Sequence, residues 1–472
     1  MAERRPGRKR GGPSAPRRAA SAEVTAREAA LGVLLRVEKG AFAAPTLDSV
    51  LTRADLDSRD ASLATSIVYG VLRNRLKLDW TIARFLKGPL TQLQPEVLTL
   101  LRMGAFQILE LERIPRWAAV NESVELTKTR VRRAASLVNA VLRKISPDDT
   151  RRAIELIADP VDRVETEYSI PRFLIDGWSQ AFGRENAFEI CRSMNEIPPL
   201  TIRVNTALTS VELLSQSFEA QGMETRKNTE IPGELEVVNP GRDLGRLDEF
   251  HDGLFQVQDA ASILATHLSG VKSGETVYDL CCGKGVKTGH LASFTGPRGR
   301  IVSADGNAAK LRLLEANCRR QGIEVSTEAR SGAVQPLLWD MLVDEAPRLE
   351  PVGRVILDAP CSCSGVLRRR PERKWRMTRD TPREMAEIQA RLMDVAAGLV
   401  RAGGTLTYIT CSLEPVEGEE VVQKLITGGD FHIDSSCASF AEEYLTKDGF
   451  WRTLPQKHGM DVFFIARLRR VG

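Results

Sequence analysis

Residues 355–379, VILDAPCSCSGVLRRRPERKWRMTR, decide how the chain is interpreted. The apolar start, Val355-Ile356-Leu357, predicts a buried parallel strand, and Asp358-Ala359-Pro360-Cys361 follows where open α/β sheets place their chemistry. A loop around Trp375 comes next, with Glu372 as its only acid and these cations: Arg368, Arg369, Arg370, Arg373, Lys374, Arg376 and Arg379. An acid, a thiol and a basic loop with an aromatic ring suit a reaction on a base within a polyanion.

The second cysteine of interest lies in Tyr408-Ile409-Thr410-Cys411-Ser412, directly after another predicted strand. Because Cys361 and Cys411 both follow strands of one predicted sheet, we expect their side chains to converge on one ligand. The alternative for either residue is a buried structural thiol.

Between residues 256 and 472 predicted strands alternate with helices, which favours a parallel sheet with helical crossovers. The predicted strands are 276–280, 300–304, 324–327, 354–357 and 405–410, with a final strand at 462–466. Asp279-Leu280-Cys281-Cys282-Gly283-Lys284-Gly285 follows the first strand and opens a helix, and Asp305 and Glu328 are expected to end the second and third. A glycine turn followed by acids at strand ends predicts a ribose-containing cofactor, although a tight turn with helix-capping acids is the alternative.

The N-terminal half has a different character. Residues 1–21 carry seven Arg or Lys against one Glu, which predicts a disordered basic tail that either follows RNA phosphates or only solubilises the chain. Helical patterns run from a predicted capping box at Thr25 and Glu28 to about residue 145, with 97–111 as the central buried helix. Residues 121–144 present a basic face, for which RNA binding and simple solvation both remain open.

Between these halves, residues 151–198 predict a helical connector, and 200–238 predict a small α+β unit. Arg203 and Asn205 in the first strand of that unit are candidate nucleotide contacts, or ordinary residues on the exposed face of a strand.

The whole-chain numbers restrict the class of protein. At 472 residues the chain is expected to form two or three domains, and its net charge of +4 means that RNA contacts must come from local clusters. No apolar run reaches the roughly 20 residues needed to cross a bilayer, so we expect a cytoplasmic protein without membrane contact.

Eight cysteines are present, and in a reducing compartment we expect all of them to be free thiols. Two pairs, Cys281-Cys282 and Cys361-x-Cys363, raise the question of a metal. Neither pair has CxxC spacing or a nearby histidine, so no metal site is expected.

The signature Asp358-Ala359-Pro360-Cys361-Ser362 with Thr410-Cys411-Ser412 resembles that of RNA cytosine-5 methyltransferases, and the resemblance extends from about residue 25 to the C terminus. The helical N-terminal region resembles a NusB-like RNA-binding domain, and residues 199–205, 256–262 and 459–466 resemble flanking family segments. The combination is similar to the RsmB/Fmu (Sun) proteins, which methylate a cytosine of 16S ribosomal RNA. The family's cofactor is S-adenosylmethionine, bound in a Rossmann-like sheet.

The resemblance implies roles for individual residues. Cys411 would be the nucleophile, Cys361 would help to release the product, Asp358 would face the cytosine ring, and Lys287 would lie beside cofactor and base. The implied cofactor-binding residues are Asp279, Cys281, Cys282, Gly283, Lys284, Gly285, Lys287, Asp305, Glu328 and Asp358. Glu328 stands where the family more often has Asp. Where the family usually reads Cys-Ala-Ala-Pro-Gly-Gly-Lys, this chain reads CCGKGVK at 281–287 and lacks the proline and one glycine.

We therefore expect a multidomain protein: a basic tail at 1–21, an all-α NusB-like RNA-binding bundle at 22–147, a helical connector with a small α+β subdomain at 148–255, and an α/β Rossmann-like class I methyltransferase domain at 256–472. The expected activity is methylation of a 16S ribosomal RNA cytosine by a monomeric enzyme. Two alternatives are a transfer RNA cytosine-5 methyltransferase and a non-catalytic RNA-binding ribosome-assembly factor.

Overall fold

The computed structural model describes residues 24–227, 229–238 and 240–472, so the predicted tail at 1–21 lies outside the described residues. The chain divides into two compact units, residues 1–68 and 69–472. The predicted capping box is confirmed, because Thr25 and Glu28 exchange hydrogen bonds at the start of the first helix. In the first unit, Ala26 and Ala29 pack against Ala64 to form a small core.

The first seven helices include the predicted central helix. They are α1 (Ala26–Glu38), α2 (Ala43–Ala54), α3 (Ser58–Arg73), α4 (Arg75–Ala83), α5 (Pro95–Glu110), α6 (Arg116–Arg130) and α7 (Ala135–Leu142). Helix α5 begins with Pro95, whose missing N–H is not needed at that position, and most of its residues are buried. The prediction of a buried helix at 97–111 is therefore confirmed. Its one buried guanidinium, Arg102, pairs with Asp79.

The middle of the chain combines four helices with a small antiparallel sheet. The helices are α8 (Pro147–Glu155), α9 (Pro160–Tyr168), α10 (Arg172–Phe182) and α11 (Arg184–Ser193). The next elements are β1 (Thr201–Val204), α12 (Val211–Ala220), β2 (Glu224–Arg226), β3 (Glu234–Val238), α13 (Asp248–His251) and β4 (Phe255–Val257). The strand order is β2-β3-β1-β4, and Phe218 of α12 packs against this sheet beside Phe255.

The C-terminal part contains a nine-stranded mixed sheet with helices. Its first elements are α14 (Ala260–Leu268), β5 (Thr276–Leu280), α15 (Val286–Thr295), β6 (Arg300–Asp305), α16 (Ala308–Arg320), β7 (Glu324–Val325), β8 (Ala333–Leu338) and β9 (Val352–Asp358). It continues with α17 (Thr381–Gly398), β10 (Val400–Thr410), α18 (Glu419–Thr427), β11 (Phe431–Ile433), β12 (Trp451–Arg452), α19 (Pro455–His458) and β13 (Phe464–Arg470).

The order of this sheet is β11-β13-β10-β9-β5-β6-β8-β7, and β12 also pairs with β13. The strands from β10 to β7 in this order are parallel, as predicted, whereas β13 runs antiparallel to β10. The expectation of a purely parallel sheet is wrong at this end, because a short connection from β12 to β13 replaces a helical crossover.

Apolar side chains of the large sheet alternate between its two faces. Tyr278 and Leu280 of β5 belong to one core cluster, and Val277 of the same strand belongs to the other. The sheet is therefore covered on both sides, and its polar chemistry is concentrated at the ends of the strands. Within the described ranges, every helix is too short or too polar to cross a bilayer.

Candidate active site

Two thiols meet at the carboxyl ends of adjacent parallel strands. Strand β9 ends at Asp358 and β10 ends at Thr410, and Asp358 lies opposite Ile409 in the register. Cys361 follows β9 and Cys411 follows β10, so that their Sγ atoms lie 3.3 Å apart. The fold thus brings together the two cysteines that the sequence placed at separate strand ends.

A third thiol completes this group. The Sγ atoms of Cys361, Cys363 and Cys411 all lie within 4.8 Å of one another, and Cys363 Sγ lies 3.5 Å from the backbone oxygen of Cys361. Cys363 has a φ of 65°, in the left-handed region that side chains other than glycine rarely adopt. Glycine would adopt this conformation with less strain, but only a residue with a side chain can place a third sulfur beside Cys361 and Cys411.

The three thiols share negative charge unequally. Hydrogen bonding to Cys361 and Cys363, followed by burial, raises the pKa of Cys411 well above its ordinary value. Hydrogen bonding from Cys361 and Cys411 lowers the pKa of Cys363 to about 3, helped by the charges of Arg373 and Arg370. Without a substrate, Cys411 is therefore the protonated partner and must lose its proton before it can attack.

Lys287 and Asp358 form an ion pair at the end of β9, the strand that precedes Cys361. Lys287 Nζ lies 2.7 Å from Asp358 Oδ2, and the Asp358 side chain keeps 34% of its exposure. The ammonium also lies 5.1 Å from the centre of the Phe463 ring. A half-exposed carboxylate held on one oxygen can still bind a polar ring with the other.

One buried acid that the sequence analysis missed connects the two cysteine loops. Glu417 Oε2 accepts from the Ser362 backbone N–H at 2.8 Å, and Oε1 accepts from the Ser412 hydroxyl at 2.8 Å. Gln389 of α17 donates to the same carboxylate. Burial raises the pKa of Glu417. Sequence patterns could not identify Glu417, because its partners lie in distant segments.

The predicted glycine turn lies between β5 and α15. Gly283 and Gly285 have φ values of 60° and 77°, and a Cβ on Gly285 would lie 2.6 Å from Leu314 Cγ. The Lys284 side chain is exposed to solvent, so it does not occupy the space inside the turn. The turn keeps its tight geometry without the proline and glycine of the related sequences.

Two carboxylates flank this turn. Asp279 is fully buried, which raises its pKa to about 7, and it accepts from the Thr288 hydroxyl at 2.5 Å. Its Oδ1 atom is buried and has no hydrogen-bond partner. Asp305 Oδ2 accepts from the Gly283 N–H at 3.0 Å and from Lys310 at 3.3 Å. A buried acceptor without a partner indicates a missing donor, which a polar ligand in the turn would supply.

Cys281 and Cys282 occupy the same turn without reactive character. Burial raises the pKa of Cys281 to about 12 and that of Cys282 further still. Both are therefore neutral thiols that can only pack against a ligand.

The placement of Glu328 at the end of the third strand is wrong. Strand β7 stops at Val325, and Glu328 lies exposed in the loop that leads to β8. The third strand from the glycine turn is β8, which is followed by Asp340. A Cβ on Gly306, next to Asp305, would lie 3.2 Å from Asp340 Cβ, so the two acids lie at neighbouring strand ends. The interruption of β8 by Pro336 hid this strand from sequence patterns.

The sequence analysis assigned the cations of the basic loop to a polyanion, and this expectation is wrong for Arg368 and Arg369, which pair internally. Arg368 and Arg369 both pair with the buried carboxylate of Asp461, and Arg369 also pairs with Asp259 at 2.7 Å. Arg368 is only 3% exposed. These ion pairs attach the basic loop to Asp461 and Asp259 in the interior of the protein.

Lys374 and Trp375 of the basic loop also make their hydrogen bonds inside the protein. Lys374 is buried and donates to the backbone oxygens of Arg73 and Tyr168 and to Asn195 Oδ1. Burial lowers the pKa of Lys374. Trp375 Nε1 donates to the backbone oxygen of Leu72 at 2.8 Å. The loop therefore packs against helical segments, and both Lys374 and the Trp375 indole N–H are used inside the protein.

Arg203 and Asn205 are also internal. Arg203 donates to Gln258 and Gln321, and Asn205 donates to the backbone oxygens of Gly253 and Gln321. Both residues are buried, so they join β1 to the following domain and do not face a nucleotide.

Helices α6 and α7 enclose an open groove of about 1120 Å³. Arg116, Trp117, Lys128 and Arg143 line it, and Trp117 is 74% exposed. This groove coincides with the basic face predicted at 121–144, and it joins an exposed ring to positive charge.

Known proteins resemble the chain over almost its whole length. A model described as 16S rRNA methyltransferase RsmB/F matches residues 266–469, the NusB family matches 24–147, and an RsmF/B-like ferredoxin-like domain matches 170–242. The probable ribosomal RNA small subunit methyltransferase B of Bacillus subtilis is 33% identical, covering 95% of this chain and 100% of that protein. The ribosomal RNA small subunit methyltransferase B of Thermus thermophilus is 32% identical, over 95% of this chain and 98% of that one.

A solved structure gives the same result for the fold. The crystal structure of PH0851 superimposes with a TM-score of 0.77 at 25% identity, covering 94% of this chain and 98% of that one. The predicted fold class is confirmed: a NusB-type helical region, a ferredoxin-like segment and a C-terminal methyltransferase sheet. The chain belongs to the RsmB/F family of 16S rRNA methyltransferases.

Proposed function

We propose that this protein transfers a methyl group from S-adenosylmethionine to carbon 5 of a cytosine in 16S ribosomal RNA, through a covalent adduct with Cys411. The observation that carries the proposal is the pair of thiols 3.3 Å apart, together with the Lys287–Asp358 ion pair at the end of the strand that precedes Cys361. Two sulfur atoms and a carboxylate are the groups that addition to a cytosine ring and release from it require.

The proposed cofactor fits the residues of the glycine turn. The unpaired Oδ1 of Asp279 can accept a hydrogen bond from the amino group of the ligand, and the carboxylate of Asp305 can accept bonds from ribose hydroxyls. Asp340, at the end of β8, takes the third position that Glu328 was expected to hold. When bound, the sulfonium of S-adenosylmethionine would supply an electrophilic methyl group.

The protein residues act on the base. Carbon 5 of cytosine is a weak nucleophile, so Cys411 first loses its proton and its sulfur adds to carbon 6 while ring nitrogen 3 gains a proton, which makes carbon 5 an enamine carbon. Lys287 holds one oxygen of Asp358, and the other oxygen shares a proton with ring nitrogen 3 and stabilises the adduct. Carbon 5 would then form its bond to the methyl group that the cofactor supplies, and the cofactor's sulfur would leave as a neutral thioether.

Release completes the cycle. A base removes the proton from carbon 5, the ring recovers its double bond, and the bond between carbon 6 and Cys411 breaks. Cys361, 3.3 Å from the departing sulfur, assists this elimination. The base must be extruded from its RNA stack to reach two thiols that are largely buried.

The direct test is methyl transfer by the purified full-length protein to a 16S ribosomal RNA transcript and to assembled small subunits, with transfer RNA as the comparison substrate. Bisulfite sequencing identifies the modified base. We expect one modified cytosine in the ribosomal substrate. Modification confined to transfer RNA would replace the substrate assignment, and absence of both cofactor binding in calorimetry and methyl transfer would favour the assembly-factor alternative.

Asp340→Asn is expected to weaken binding of S-adenosylmethionine by about 10-fold or more, because a charge-assisted hydrogen bond contributes roughly 1.5–3 kcal/mol. Glu328→Gln is the matched control, since it removes the charge of the exposed acid, and it should change affinity by less than about twofold. Isothermal titration calorimetry of both variants gives the comparison. A larger loss in Glu328→Gln than in Asp340→Asn would restore the original assignment.

A further inference from the structure

We propose that Cys361, Cys363 and Cys411 form a binding site for a thiophilic d¹⁰ metal ion, represented by Zn²⁺, and that the bound ion inhibits methyl transfer. The sequence argued against a metal, because neither Cys281-Cys282 nor Cys361-x-Cys363 has CxxC spacing or a nearby histidine. The fold supplies the third sulfur from Cys411, which directly follows β10 and lies 50 residues after Cys361 in the chain.

The geometry suits three thiolates around one ion. Zinc–sulfur bonds of about 2.3 Å place the sulfurs of a three-thiolate site roughly 3.7–4.0 Å apart. The three Sγ atoms here lie within 4.8 Å of one another, and the shortest separation is 3.3 Å. Movements of a fraction of an ångström in each side chain would therefore create the site.

The loops that carry the sulfurs are held in place. Gly365 N–H donates to the backbone oxygen of Cys411 at 3.0 Å, and Glu417 bonds to both loops through Ser362 and Ser412. Because the scaffold is fixed before an ion arrives, little conformational entropy is lost on binding. Cys411 keeps partial exposure, which leaves an entry path.

Binding needs no oxidant or reductant. Zn²⁺ replaces the protons of Cys361 and Cys411, these protons leave to solvent, and three zinc–sulfur bonds form with these two sulfurs and the Cys363 thiolate. The bound ion then coordinates the sulfur of Cys411, so this sulfur can no longer act as the nucleophile of the proposed reaction. Inhibition therefore depends on the proposed function, whereas metal binding does not.

The full-length, reduced and metal-free protein is titrated with Zn²⁺ in competition with a chromogenic chelator. We expect one tightly bound ion, and Cys363→Ser should weaken its affinity by about 100-fold or more, since three soft ligands become two. Cys437→Ser is the control, because it removes a thiol outside the cluster, and it should match the wild type. With Co²⁺ as the probe, the thiolate charge-transfer band should be present in the wild type and reduced in Cys363→Ser.

A second variant guards against a folding effect. Cys363→Gly suits the positive φ at this position and should lose the ion as Cys363→Ser does. Zn²⁺ should slow methyl transfer by the wild type. In each Cys363 variant, the rate with Zn²⁺ should stay close to that variant's own metal-free rate. Equal affinity in the wild type and the Cys363 variants, or no tight site in the wild type, would overturn the proposal. Zinc binding by a protein that shows no methyl transfer would overturn the proposed function and leave the proposed metal site standing.

Discussion

Cys411→Ala should lower methyl transfer by at least about 10³-fold and should form no covalent complex with RNA, because it removes the sulfur that adds to carbon 6. Cys361→Ala should instead accumulate a covalent RNA–protein adduct, because addition and methylation proceed while release of Cys411 fails. The two thiols lie only 3.3 Å apart, yet their removal should have opposite effects on the adduct.

Denaturing gel electrophoresis with labelled RNA measures the adduct, and incorporation of labelled methyl groups measures turnover. The double variant Cys361→Ala with Cys411→Ala should show no adduct, which ties trapping to Cys411. Cys437→Ala, outside the cluster, serves as the control for loss of a thiol. An adduct that persists in Cys411→Ala would assign the nucleophile to another thiol, with Cys363 as the first candidate.

Asp461→Asn should reduce the free energy of unfolding by about 3–5 kcal/mol, which is the usual loss when one partner of a buried ion pair is removed. The Asp461 side chain is 2% exposed, and it receives hydrogen bonds from both Arg368 and Arg369. An amide in its place leaves the Arg368 guanidinium facing a neutral partner in the interior, while Arg369 keeps only its pair with Asp259.

The midpoint of urea unfolding measures this loss in the full-length protein. Asp243→Asn is the matched control, because its pair with Arg246 is exposed on both sides, 83% and 67%, and should contribute little. A loss in Asp461→Asn no larger than that in Asp243→Asn would mean that solvent reaches the Arg368–Asp461 pair.

Patterns within short segments predicted the framework of the catalytic sheet. The apolar runs before Asp358 and Cys411 are strong strand signals, and parallel strands carry the residues after them to the same edge, so these positions followed from local sequence. Strand β8 was missed because it contains Pro336 and ends with an exposed leucine, and the misplacement of Glu328 followed from that omission.

Long-range pairing could not be predicted in the same way. A basic residue that binds phosphate and one that pairs with a distant acid look alike in sequence. Arg369 finds Asp259 and Asp461, which are 110 and 92 residues away, and only the fold reveals those partners. The spacing of cysteines was uninformative for the same reason, since the third sulfur beside Cys361 and Cys363 comes from another strand.

The internal pairing of Arg368, Arg369 and Lys374 bears on how RNA binding responds to ionic strength. Each cation that neutralises a phosphate of single-stranded RNA releases condensed counterions and contributes about 0.7 to the slope of log affinity against log salt. Guanidinium groups that already hold Asp259 and Asp461 release none. Fewer counterions therefore leave when RNA reaches this face than the number of basic residues in 368–379 suggests, and its affinity there should depend on the fit of the extruded base more than on salt.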